Sequence, residues 1–240
     1  MTDYDPRLVE LYDEDNPDGP DHDFYRAVAD EMGAQSLLDL GCGTGILTVT
    51  LAHPGRRVVG LDPSDAMLGY AAARPGGDLV QWVRGNSSVI PDGEFDCAIM
   101  TGNVAQHILD PEWAHTLIDV RRALRSGGVL AFESRNPAGR SWTSWAANPP
   151  TVRPTRLGPL REWLEVEEQG EGLVVLTAHN VFERTDEHVV ETLTLAFRDH
   201  DRIEQQLRDA GLVIDAVWGD WSRNPYRKDS PIMVFQARKP

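Results

Sequence analysis

Three glycines at alternate positions, Gly41, Gly43 and Gly45, follow an apolar run and make LLDLGCGTG the strongest chemical signal in the chain. Glycine strips side chains from a loop, so that backbone N–H groups can approach a ligand closely. One acid, Asp39, precedes the loop, and a second, Asp62, ends the run RRVVGLD. A carboxylate there can accept hydrogen bonds from both hydroxyls of a ribose, each worth about 1.5–3 kcal/mol. A dinucleotide loop would read GxGxxG, but Ile46 stands where its last glycine belongs and the third glycine comes one residue early. Asp62 therefore points to a ribose without choosing the nucleotide.

Other polar residues gather where apolar runs end. In RGNSSVIP, Asn86 can read an adenine amino edge and Ser87 can offer its N–H; the competing role for Asn86 is a turn residue that satisfies its own backbone. TGNVAQHI supplies Thr101, Asn103, Gln106 and His107, and FESRNP supplies Glu133, Arg135 and Asn136. His107 has the pKa range of a proton acceptor, against which stands an ordinary packed or capping histidine. Glu133 ends an otherwise apolar strand and is the second catalytic candidate; its alternative is a salt bridge to Arg135. Trp142, Trp145, Trp218 and Trp221 either line an acceptor pocket or pin long loops. His22, His53, His115, His179, His188 and His200 are assigned to the surface.

The elements that must hold these residues alternate. Helical patterns cover 6–12 and 21–32, then SLLDL, RRVVGLD, LVQWVRGN, FDCAIMTG and VLAFES read as strands. Helices are expected between them at 45–52, 64–73 and 114–124, the last closed by Ser126, Gly127 and Gly128. Apolar strands alternating with amphipathic helices require a parallel sheet covered on both faces. Residues 137–158 read as a long loop, and 159–198, with turn signals at QGEG and RTDEH, as an inserted antiparallel meander. A helix at 201–210 and two strands, LVIDAVWGD and PIMVFQARK, complete the chain.

The 240 residues suit a single α/β domain, with 1–33 as a helical cap. A net charge of -15 and the lack of a basic track argue against nucleic acid as partner. Cys42 and Cys97 fall in core-like stretches without zinc-ligand or disulfide spacing, so no metal is expected. The first 21 residues are acidic without an apolar signal core, and no run approaches the ~20 residues of a membrane span. The expectation is a soluble, cytoplasmic protein.

Read together, LLDLGCGTG, VVGLDPSDAML, RGNSSVIPDGEFDCAIM and LRSGGVLAFES resemble, in order over 37–133, the class I S-adenosylmethionine-dependent methyltransferases of small-molecule type. The resemblance implies a Rossmann-like, doubly wound sheet of seven strands in the order 3-2-1-4-5-7-6, the last antiparallel. It implies S-adenosyl-L-methionine as cofactor and S-adenosyl-L-homocysteine as product. The methionine moiety falls to Asp39, Gly41 and Gly43 and the ribose to Asp62, with Cys42, Gly45 and Pro63 also in the cofactor site. Adenine falls to Met67, Asn86 and Ser87, with Thr101, Gln106, Tyr12 and Tyr25 completing the cofactor site. Asn86 departs from the acid usual there, and Ser126 from a proline. The meander is then a cover over a small-molecule acceptor or a homodimer surface, and transfer is to oxygen or nitrogen. The alternatives are a cofactor-binding module without transferase activity and an NAD(P)-dependent oxidoreductase. AANPPT, at 146–151, is set aside as an amino-methyltransferase tetrapeptide because it follows the fifth strand and ends in Thr151.

Overall fold

A computed structural model describes residues 3–146 and 149–240. Helix α1 (Pro6–Asp15) starts where Asp5 accepts the Arg7 N–H at 2.9 Å, and α2 (Pro20–Glu31) starts on a proline that needs no hydrogen-bond partner. There follow β1 (Ser36–Leu40), α3 (Thr48–Leu51), β2 (Arg57–Asp62), α4 (Asp65–Ala72), β3 (Val80–Arg84) and β4 (Phe95–Met100). Next come α5 (Val104–His107), α6 (Glu112–Ala123) and β5 (Leu124–Arg135). A short helix α7 (Trp142–Trp145) leads to β6 (Thr151–Thr155), β7 (Gly158–Gly170), β8 (Leu173–Phe182) and β9 (Glu187–Ala196). The chain closes with α8 (His200–Asp209), β10 (Val213–Trp218) and β11 (Ile232–Arg238).

Seven strands form one sheet in the order β3-β2-β1-β4-β5-β11-β10, which is the expected 3-2-1-4-5-7-6 when its strands are counted along the chain. β1 to β5 pair in parallel, and β11 runs antiparallel between β5 and β10. Two apolar layers cover it. Leu38, Phe95, Trp113, Phe132 and Phe235 pack on one face. On the other, Phe24, Tyr25 and Val28 of α2 lie against Leu37, Val58, Cys97 and Ile99. The remaining four strands, β6-β7-β8-β9, make a separate antiparallel sheet. Its inner side packs Val174, Leu195 and Phe197 on Trp142, and Leu160 and Phe182 on Leu11 of α1. Among the described residues no helix is long and apolar enough to cross a membrane.

Three elements depart from the expectations. The helix expected at 45–52 is the single turn α3: β-branched Thr48, Val49 and Thr50 weaken it, and Pro54 forces the preceding chain to extend. Ser126, Gly127 and Gly128 do not end a helix but lie inside β5, where the pairing shifts between Phe95 and Cys97. A Cβ on Gly128 would lie 2.9 Å from the carbonyl oxygens of Arg125 and Phe95, so glycine permits the irregular ladder. The expected loop at 137–158 contains β6, so the second sheet starts at Thr151 rather than at 159. β6 is an edge strand, which is why Pro154 is tolerated within it. Of the ANPPT stretch, Ala147 and Asn148 lie outside the described residues.

Behind β2 the Trp82 ring lies against Gly60, where an added Cβ would fall 2.5 Å from the indole and 3.1 Å from Cys42 Sγ. Trp82 cannot swing freely, because its indole N–H donates to the Gly77 carbonyl at 2.9 Å. Gly60→Ala is therefore expected to cost about 1–3 kcal/mol by overpacking, read from urea midpoints. Adding Trp82→Leu should recover part of that loss, and strict additivity of the two changes would contradict the contact.

Candidate active site

The loop after β1 is built by the end of β2. The N–H groups of Gly41 and Cys42 both donate to the Leu61 carbonyl, at 2.7 and 3.2 Å. The Gly43 N–H donates to Asp62 Oδ2 at 2.9 Å. Gly41 and Gly43 hold φ of +78° and +52°, conformations open to glycine without strain. A Cβ at Gly41 would strike Val104 at 2.5 Å, whereas a Cβ at Gly43 would enter open space. That space is a cavity of about 280 Å³. The loop from Gly41 to Thr44 forms one wall, Thr101 and Gly102 another, and Tyr12, Asn16, Asp21 and His22 reach in from α1, α2 and their connection.

Asp39 stands two residues before the loop that walls this cavity. Its Oδ2 accepts the Thr48 hydroxyl at 2.6 Å, while Oδ1 is buried without a partner. Burial pushes its pKa up to about 6; Thr48 and His22 oppose the rise and Asp62 adds to it. Asp62 is likewise raised by burial and restrained by the N–H groups of Ser64 and Gly43. A buried acceptor with no donor is unfavourable until a ligand supplies one, and an ammonium group would satisfy Asp39 Oδ1. The open face at Gly43 leaves room for that ligand's chain. The donor and acceptor set thus fits the amino-acid end and the ribose of an adenosyl cofactor.

The third strand end is arranged differently from the sequence expectation for Asn86. Its side-chain oxygen accepts both the N–H and the hydroxyl of Ser88, at 3.1 and 2.6 Å, so the amide caps a turn and its carbonyl is spent. Ser87 turns its hydroxyl to Asp119, at 2.9 Å, and to Thr116, at 3.2 Å. Met67 is buried, with its N–H on Ser64 Oγ. Pro63 directly follows Asp62. Gly45 abuts Trp82 and Ala71 rather than the cavity.

At the ends of β4 and β5, Glu133 is 2% exposed. It accepts the Tyr25 hydroxyl on one oxygen and the Asn103 N–H on the other. Burial raises it to about 7 despite those bonds. Tyr25 therefore spends its hydroxyl on Glu133 and does not line the cavity, and Glu133 holds the loop at Asn103, whose φ is +61°. The salt bridge to Arg135 does not form. Arg135 donates instead to Gln106 Oε1 at 3.0 Å. His107 opens to solvent from a recess; desolvation there, then the Arg135 charge, lower its pKa toward about 4. The helix α5 that carries Gln106 and His107 is fastened by Arg198, which donates to the carbonyls of Ala105 at 2.9 Å and Ile108 at 2.7 Å.

α1 crosses the mouth of the cavity. Asp13 accepts the Thr44 hydroxyl at 2.6 Å and pairs with Arg74, while Asp3 accepts the Ser64 hydroxyl at 2.5 Å. Arg153 of β6 pairs with Asp15 and Glu162, at 2.9 and 2.7 Å, so the second sheet is tied to the same helix. A shallower depression of about 310 Å³ beside Phe24, Trp221 and Arg223 is slightly larger, but no glycine-loop residue reaches it.

Gly41, Cys42, Gly43, Thr101 and Tyr12 thus meet around one cavity, and Asp62 holds the Gly43 N–H in its wall. His22 corrects the expectation of a surface histidine: it is buried, bonds Asp18 at 2.8 Å and lines the cavity. Its spacing from Tyr25 and Ala29, three and seven residues on, was the helical signal for an inward face.

Residues 37–128 match the family model described as a methyltransferase domain. An uncharacterized methyltransferase of Synechocystis is 35% identical over 113 residues, which are 46% of this chain and 51% of that protein. The curated relatives are each matched over 31% to 51% of their own length. A methyltransferase structure from Clostridium acetobutylicum superposes with a TM-score of 0.81 at 18% identity, covering 97% of both chains. A sugar N-methyltransferase structure from Streptoalloteichus gives 0.78 at 19% identity, covering 100% of this chain and 95% of that one. The chain has the Rossmann-like fold of the S-adenosylmethionine-dependent methyltransferases, and the methyltransferase domain match runs from β1 into the start of β5.

Asp39 gives a sign-specific test. Its pKa is about 6 when folded against 3.8 for a free side chain, so the folded chain holds more protons between those values. Its contribution to stability therefore falls as pH rises from 3.8 to about 6 and is flat above. Urea midpoints of wild type and Asp39→Asn should diverge across that window, with the wild type losing more. Parallel curves would contradict the unpartnered buried oxygen.

Proposed function

We propose that this protein transfers a methyl group from S-adenosylmethionine to a nitrogen of a small-molecule amine, leaving S-adenosylhomocysteine. The observation that carries the reading is Asp39 Oδ1, a buried acceptor without a partner two residues before the glycine loop that walls the cavity. Asp39 takes the cofactor's ammonium group, and the loop at Gly41 and Gly43 leaves space for its amino-acid chain. Asp62 keeps lone pairs for the ribose hydroxyls. Met67 and the backbone at Ser87 flank the adenine, with the Asn86 carbonyl already engaged. Bound there, the cofactor supplies a methyl group on a sulfonium, open to the lone pair of an amine.

The chain's own contribution is alignment and exclusion of water, which can supply roughly 7–11 kcal/mol. His107, held toward about 4, stays neutral at ordinary pH and accepts an amine N–H to orient the nitrogen. So low a pKa makes it a poor acceptor for a full proton, which leaves to water instead. Glu133 acts through Asn103 and Tyr25 as a positioning residue. The second sheet serves as a cover, since its inner side packs on α1 and on Trp142. Nitrogen is favoured over oxygen by the likeness to sugar and glycopeptide N-methyltransferases.

Calorimetry is expected to give micromolar binding of S-adenosylmethionine and S-adenosylhomocysteine, at least tenfold weaker in Asp62→Ala. Binding should tighten as pH rises through about 6, where Asp39 ionises, and Asp39→Asn should remove that dependence. Mass spectrometry of an amine panel should find products one methyl heavier. Absence of cofactor binding, or an unchanged Asp62→Ala, would overturn the reading; binding without transfer to any amine would reduce it to a cofactor-binding module.

A further inference from the structure

Arg135 ends β5 without a salt-bridge partner, although the Glu133 charge is near enough to act on it. Its guanidinium is half-buried, lies 5.2 Å over the Trp145 ring and gives one N–H to the neutral Gln106 carbonyl. Among the described residues no carboxylate pairs with it. Glu133, two residues back on the same side of the strand, has spent both oxygens on Tyr25 and Asn103. A guanidinium partly removed from water with only one neutral acceptor is a ready partner for an anion.

A second unspent donor stands next to it. The guanidinium fixes the orientation of the Gln106 amide, because the carbonyl must face the cation. The other end of that amide, Nε2, is then buried with no acceptor. Arg135 is close enough to Tyr12 and His107 for its charge to act on both, and Tyr12 lines the cavity. Two sets of unspent N–H donors therefore lie together at the Arg135–Gln106 hydrogen bond, on the residue next to His107.

We propose that Arg135 and Gln106 Nε2 form a subsite for an anionic group of the acceptor, a carboxylate or a phosphate. This rests on the methyltransferase reading above for the identity of the occupant, not for the existence of the subsite. A planar guanidinium suits either oxyanion through paired N–H bonds. The acceptor is then an amine that also carries an acid group, an amino acid or a phosphorylated amino compound.

The test titrates acetate and inorganic pyrophosphate calorimetrically into the free protein and into the protein saturated with S-adenosylhomocysteine. Wild type, Arg135→Met and Arg135→Lys are compared, with thermal melts as a folding control. At least one anion should bind wild type in the millimolar range or tighter, and at least tenfold more weakly in Arg135→Met, with Arg135→Lys between. Preference for acetate assigns a carboxylate, and preference for pyrophosphate a phosphate. No anion binding to wild type, or equal binding to a folded Arg135→Met, overturns the proposal. A parallel loss of S-adenosylhomocysteine binding in Arg135→Met also overturns it, since Arg135 would then serve the cofactor. If S-adenosylhomocysteine fails to bind even wild type while anion binding still depends on Arg135, the cofactor reading falls and the subsite stands.

Discussion

The end of β2 dictates the shape of the loop that follows β1. One carbonyl, that of Leu61, receives two successive N–H groups, and one carboxylate, that of Asp62, receives a third. A chain leaving β1 under those bonds must curl over the sheet edge, and side chains at Gly41 and Gly43 would obstruct the curl or fill the space it encloses. Asp62 is thereby fixed in direction by the backbone before any ligand arrives. This is preorganisation in its simplest form: the orientation of an acceptor is set during folding.

A second buried carboxylate gathers the other walls. Glu133 binds a hydroxyl from α2 and a backbone N–H from the turn before α5, so β5, the N-terminal cap and the loop at 101–103 meet at one group. The same helix α2 brings His22 and Asp21 to the cavity. Displacing Glu133 would therefore move two walls together. Its high pKa reflects what that junction requires: a carboxylate out of water, held by two hydrogen bonds rather than by a cation.

Much of this was legible in the chain. The strands announced themselves by unbroken apolar runs, and the sheet order followed from the resemblance of four motifs. The glycine loop and the acid that ends β2 were readable because both are set by local backbone geometry. Less legible were features set by distant partners. Tyr25 and Glu133 are 108 residues apart, and no local pattern pairs them in preference to Glu133 with Arg135. Asn86 was ambiguous for the opposite reason, since a turn and a ligand ask for the same residue type, and here the turn takes its carbonyl. β6 was hidden by Pro154, which forbids a central strand but not an edge.

The contacts that hold the second sheet against α1 differ in kind from those inside either sheet. Arg153 with Glu14 and Asp15, and Arg156 with Glu10, are ion pairs open to solvent. Pairs of this sort are worth little each and weaken when mobile ions screen them over about 8 Å at physiological ionic strength. The apolar seam through Leu11, Leu160 and Phe182 is indifferent to such screening. The seam therefore fixes where the sheet rests, while the ionic composition of the medium sets how firmly its β6 corner is fastened to α1.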